Sequence, residues 1–142
     1  VLFVSGSDNN DNNAIDFDND FVVNGGIVAA AGSKVKAKQA SEAGTQCVLM
    51  ISFADYKTAS SQIVLTDDEG SIILSAAFLK AFDCLIVSCP EMTVRSAYYY
   101  DVSKAGNDES EFKIHTDSGT CSIDRLSQAI LTSQSTWIFS GE

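Results

Sequence analysis

The chain has 142 residues, one domain's worth and enough to bury a core, and its 45% hydrophobic and 20% charged content excludes a disordered composition. A formal net charge of -10 argues against nucleic acid and against an anionic membrane surface, because both call for clustered Lys and Arg. No run of 18 apolar residues exists, so no transmembrane helix and no membrane insertion is expected, and the balance suits a protein that works outside the cell or on its surface.

Taken in chain order, strand patterns are frequent and helical periodicity is scarce. Val1-Leu2-Phe3-Val4-Ser5 opens the chain as a strand; it is too short for a signal-peptide core, so the chain is expected to be a piece of something longer or a trimmed mature form. Residues 5 to 21, SGSDNNDNNAIDFDNDF, hold five aspartates and five asparagines and no Lys or Arg. FVVNGGIVAAAG is two short apolar runs split by a turn or corner at Gly25-Gly26. SKVKAKQASEAG carries Lys34, Lys36 and Lys38 in alternation and reads as an edge strand or a linker. QCVLMISF is a nearly continuous apolar run, the mark of a central strand. QIVLTDDEGSIIL is the clearest hairpin, with Asp67-Asp68-Glu69-Gly70 at its turn and a glycine able to take the positive φ such turns need. FDCLIVSC is a second core strand, stopped by Pro90, and TVRSAYYYDV, EFKIHTD and STWIFS add three more. Within CSIDRLSQAILTSQ, Ile123, Leu126 and Ile130 fall at helical spacing behind Ser122 and Asp124 as caps, which predicts one short helix near 122–130; a strand over Ala129–Thr132 is the alternative. The chain as a whole reads as all-β, with a change of character near Gly32 that suggests two sub-structures.

The four cysteines, Cys47, Cys84, Cys89 and Cys121, allow up to two disulfides in three connectivities, or four buried free thiols. A bond between Cys84 and Cys89 is excluded if CLIVSC is a strand. At ~3.3 Å per residue the two Cα atoms stand roughly 16 Å apart, against the roughly 7 Å a disulfide tolerates. The spacings match no zinc pattern.

Three uses fit the acidic stretch: a solvated loop, a cation site, or a surface that meets sugars. Asp16, Asp18 and Asp20 alternate, so they share one face of a strand or converge in a loop, with Asp8, Asp11, Asn13 and Asn24 as further oxygen donors. Calcium, which takes roughly six to eight oxygens, is the expected cation. The EF-hand pattern is not met: Phe21 and Ile27 stand where its glycine and glutamate belong. Three like charges on one strand face repel, which makes a counter-ion attractive; alternation with Ile15, Phe17, Asn19 and Phe21 is equally the pattern of a half-buried strand with a wet face. For a glycan, an exposed aromatic platform is needed. Tyr98 and Tyr100 read as core, whereas Tyr99, pointing the other way, and Trp137 are the candidates.

The phrases SGSDNNDNNAIDFDNDFVVNGGIVAAAGS, GTQCVLMISF, DDEGSIILS, FDCLIVSCPEM and SAYYYDV, in this order over roughly residues 1 to 100, resemble the C-terminal portion of the extracellular carbohydrate-binding parallel β-helix proteins of clostridia and related anaerobes. The resemblance implies residues 1–33 as the last coil-like segment of a right-handed parallel β-helix and residues 34–142 as a β-rich, sandwich-like cap. It also implies calcium and an acidic plant polysaccharide of the polyuronate type as ligands. A chain at -10 repels a polyuronate unless calcium bridges carboxylates on both sides.

No enzyme is expected. The single histidine, His115, lies two residues from Asp117 but in no nucleophile elbow. No basic residue lies in the acidic stretch to serve a polysaccharide lyase. The reading is therefore a non-catalytic, calcium-dependent, carbohydrate-binding module. The alternative is a structural subunit of an extracellular filament, fibre or virion assembly, self-associating through Val1–Val4.

Overall fold

A computed structural model describes residues 1–6, 13–104, 111–113 and 122–140. These residues form ten strands and no helix: β1 (Leu2–Ser5), β2 (Val28–Gly32), β3 (Val48–Lys57), β4 (Ser61–Thr66), β5 (Ile72–Ala77), β6 (Phe82–Ser88), β7 (Ala97–Lys104), β8 (Glu111–Lys113), β9 (Ser127–Ile130) and β10 (Ser135–Ser140). The all-β expectation holds, and the strands are shared between two five-stranded sheets. One is mixed, in the order β1-β2-β6-β3-β10, with β1 parallel to β2 and β10 parallel to β3. The other is antiparallel throughout, in the order β8-β5-β4-β7-β9.

The two sheets face each other across one apolar layer. Alternate residues of the mixed sheet (Ala29, Leu49, Ile51, Phe53, Leu85, Val87) meet Ile63, Leu65, Leu74, Ala76, Tyr98 and Tyr100 of the antiparallel one. Period-two alternation gives the antiparallel sheet an inner and a wet outer face, as Gln62 and Val64 show beside the fully buried Ile63 and Leu65. In β3 and β6 the alternation vanishes: Val48 to Phe53 and Phe82 to Ser88 are buried without interruption. A strand reads this way when both of its faces are covered. The cover is the irregular chain on either side of β2. Ala14, Ile15, Phe21, Val23, Ala37 and Ala40 pack onto Val28, Ala30, Val48, Met50, Cys84 and Ile86. This contact is close enough that a Cβ on Gly32 would stand 2.4 Å from the Ala14 backbone nitrogen.

The lysine-bearing segment is thus neither edge strand nor loose linker but part of this cover. Lys34 pins it down. Its backbone N–H donates to Asp83 Oδ1 at 2.7 Å, and its Nζ donates to the carbonyls of Phe53 and Ala54 at 2.6 and 3.2 Å. Asp83 itself is 3% exposed, and its Oδ2 stands 3.8 Å from Lys34 Nζ.

The β4–β5 hairpin forms where its turn residues place it. Gly70 takes φ 83°, and Asp67 Oδ1 accepts from the backbone N–H of Glu69 and of Ser71, both at 2.9 Å. The short helix expected near 122–130 does not form. Leu126 N–H donates to Ile123 O at 3.1 Å in a turn, and β9 follows at once, two residues earlier than the strand weighed against the helix. Tertiary pairing overrides the helical spacing. Ala129 and Leu131 point into the core at 1% and 0% exposure and Ile130, at 50%, points out, while the backbone is satisfied by β7.

Cys47, Cys84 and Cys89 are free and buried. Cys84 packs in the outer layer of the mixed sheet and Cys89 in the inner one, so the strand geometry keeps them apart; Cys121 lies outside the described residues. Residues 1–33 and the later chain share the mixed sheet, because β2 is hydrogen-bonded to β6 from Val28–Ser88 to Gly32–Cys84. Among the described residues no helix is long and apolar enough to cross a membrane.

Candidate functional site

β10 is the last strand of the mixed sheet, and its entry is clamped by the segment before β3. Glu42 accepts from Ser133 Oγ at 2.8 Å and from the Ser135 N–H at 3.2 Å. Gln39 Nε2 donates to Ser135 O at 2.7 Å, and Gln134 Nε2 donates to Gly44 O at 2.9 Å. The strand then runs parallel to β3, with Trp137 beside Met50 and Phe139 beside Ser52. Residues two apart on a strand share a face, so both rings stand on the outer side of the mixed sheet.

Trp137 is half-buried against the outer apolar layer, and its indole N–H donates to Ser52 Oγ at 2.8 Å. That bond meets the one polar need of a packed indole and fixes the ring. Phe139 stacks on it, centroids 5.8 Å apart and planes 18° from parallel. Phe139 is 76% exposed, the most exposed aromatic residue described. An apolar ring so placed gains little from folding beyond the contact with its neighbour. Trp137 was legible as a platform from composition alone. Phe139 was missed, because in STWIFS it looks like one more strand residue; only the tertiary structure shows that the outer layer covering Trp137 stops short of it.

Tyr98 and Tyr100 are core residues at 4% exposure each, as their alternation predicts. Tyr99 points outward from the antiparallel sheet, half-exposed, with its hydroxyl accepting from Gln128 Nε2 at 3.0 Å. Tyr99 and Trp137 therefore occupy the two opposite outer faces of the sandwich and do not form one platform.

The described part of the acidic stretch after Gly6, residues 13–21, runs as irregular chain, not as a strand. Asp16, Asp18 and Asp20 are exposed, whereas Asn13 is buried with its Oδ1 accepting from the Ala14 N–H at 2.7 Å. Asn24 Oδ1 accepts from the Thr45 N–H at 3.1 Å, which makes it a turn-bracing group rather than a spare donor oxygen. Among the described residues no three His, Cys, Asp or Glu side chains converge where they could hold a metal ion. Asp16, Asp18 and Asp20 thus do not by themselves fit a calcium ion, which wants many oxygens around one point. Asp8 and Asp11, the other two aspartates of the expected set, lie outside the described residues, as do His115 and Asp117.

Comparison of the chain with protein-family models, with curated proteins and with solved structures finds no match.

Proposed function

We propose that the chain is a non-catalytic polysaccharide-binding module that works outside the cell. The observation that carries this reading is the Trp137–Phe139 pair. Sugar rings present flat C–H faces, and a fixed, exposed aromatic ring is the surface they stack on; exposed apolar rings of this kind are otherwise a liability. The parallel pairing of β1 with β2, Leu2 beside Val28 through Ser5 beside Ala31, supports the finer reading of residues 1–33 as the last coil of a right-handed parallel β-helix with residues 34–142 as its β-rich cap.

The glycan class follows from charge. A chain at -10 favours neutral glycans unless a cation intervenes. The exposed, non-converging Asp16, Asp18 and Asp20 support calcium as an ion shared with the carboxylates of an acidic polysaccharide, with the glycan supplying ligands that the protein lacks.

The test is retention on polygalacturonate and on neutral glucans, with calcium and with chelator. Phe139→Ala and Trp137→Ala are expected to weaken retention about tenfold or more, as loss of a stacked ring does at hot spots. Retention that is equal for the wild type and both variants sinks the reading.

A second reading, a structural subunit of a filament, fibre or virion assembly, has one supporting observation. β1 and β10 end the mixed sheet, and no described strand pairs with their outer edges. Donation of β1 itself to a neighbour would sacrifice its bonds to β2, so assembly of this kind would run edge to edge. Light scattering across a concentration series tests it: a monomer at every concentration removes this reading.

A further inference from the structure

The sandwich is not filled at one end. A cavity of about 130 Å³ lies between the sheets, bounded by Phe53 and Lys57 of β3, Ser140 of β10, Tyr100 and Asp101 of β7 and Ser127 of β9. Its size approaches the roughly 150 Å³ that holds one six-membered ring in a protein interior. Unlike such apolar voids, its wall is polar. Asp101 and Ser127 form an exposed rim, and Lys57 Nζ sits 4.8 Å from the centroid of the Phe53 ring.

The two core tyrosines of β7 differ in a way that bears on this cavity. The Tyr98 hydroxyl donates to Glu91 O at 3.1 Å and accepts from the Thr93 N–H at 2.9 Å. Tyr100 is equally buried, at 4% exposure, but lines the cavity, and among the described residues its hydroxyl makes no hydrogen bond. The Tyr100 hydroxyl oxygen is not sealed from solvent but opens onto the cavity, so it is free to donate to a molecule that enters there.

We propose that this cavity binds a single multiply hydroxylated six-membered ring, that is, one monosaccharide unit. The ring's hydroxyls would meet Tyr100, Ser127 and Ser140, with Lys57 beside them. This deepens the polysaccharide-binding reading and rests on it: Ser140 is the next residue along β10 from Phe139, with its side chain on the opposite face. A chain stacked on the aromatic pair thus has a pocket for one end or branch unit close by.

The test is a titration of backbone amide chemical shifts with methyl glucoside, methyl galactoside and the corresponding uronic acids. Saturable shifts confined to the segments around Phe53–Lys57, Tyr100–Asp101 and Ser127 are expected for at least one of them. Tyr100→Phe, which removes only the hydroxyl, is expected to weaken that binding about tenfold, the equivalent of one lost hydrogen bond. Ser127→Ala, on the exposed rim, gives a second variant that cannot unfold the core and is expected to weaken binding severalfold. No saturable shift with any of the four sugars, or affinity unchanged in both variants, overturns the proposal and leaves the cavity to water. If the Trp137 and Phe139 variants lose polymer retention while no monosaccharide binds the cavity, the proposed function stands and this site falls. If a monosaccharide binds here but no polymer is retained, the cavity stands and the aromatic platform falls.

Discussion

Asp83 is a carboxylate with almost no access to water, and it holds the cover of the mixed sheet through Lys34. Removing it strands a backbone N–H and leaves the lysine reaching only carbonyls. Asp83→Ala is therefore expected to cost about 2–4 kcal/mol, read by urea unfolding, because an unmet buried donor loses its whole desolvation penalty. The tyrosines of β7 give a second contrast at this scale. Tyr98→Phe removes two good hydrogen bonds and is expected to cost about 1–2 kcal/mol, whereas Tyr100→Phe removes a hydroxyl without a described partner and is expected to leave stability unchanged or raised. Equal losses in the two variants would contradict the difference in their surroundings. Both residues were legible as core from the alternation in YYY. Their opposite hydrogen-bonding fates were not, since these depend on Glu91 and Thr93 in one case and on the gap between the sheets in the other.

At the scale of elements, the hairpin and the short helix show what local sequence decides and what it does not. The DDEG turn carries its own instructions, a glycine with positive φ and an aspartate that accepts two N–H groups, so β4 and β5 form where the residues say. The 122–130 segment carries a helical spacing too weak to nucleate a helix alone, and pairing with β7 wins. The cover of the mixed sheet depends on a close approach rather than on a pattern. Gly32→Ala would drive a Cβ into the Ala14 backbone, and a cost of about 1–3 kcal/mol is expected from the overpacking. A thermal melt of that variant indistinguishable from wild type would mean that the irregular chain over the sheet yields easily.

Two expectations belong to the whole molecule. Burial pushes the thiols of Cys84 and Cys89 up to about 11 and about 12; beyond burial, Asp83 raises the first and Glu91 the second. A thiol that ionises less readily folded than unfolded holds its proton more tightly in the native state. Its contribution to stability is then complete below the ordinary thiol range near 9 and is lost as the pH rises toward these values. Stability is expected to fall between about pH 9 and pH 12, and to fall less in a variant with both cysteines replaced by alanine. The same burial predicts that neither thiol reacts with a thiol reagent at neutral pH until the chain unfolds. Calcium provides the other test. If the ion is shared with the glycan rather than held by the protein, chelator leaves the melting temperature unchanged while abolishing retention on polygalacturonate; a large drop on chelation would instead mean that the acidic stretch closes around an ion by itself.

The sequence by itself determined the all-β class, most of the strands, the hairpin turn and the inward direction of Tyr98 and Tyr100, because each of these follows from the two-residue period of a strand or from turn chemistry confined to a few neighbours. Tertiary structure alone decided which strands lie side by side, that the chain flanking β2 seals the outer face of the mixed sheet, that β10 is an edge, and that Tyr99 and Trp137 end on opposite sides of the sandwich. These depend on contacts between residues far apart in the chain, such as Ala14 on Gly32, Lys34 on Asp83 and Gln39 on Ser135, and no local period encodes them. Exposure of Phe139 is the clearest instance. The residue is unremarkable in its own strand, and it faces water because the outer apolar layer that packs against Trp137 does not reach it.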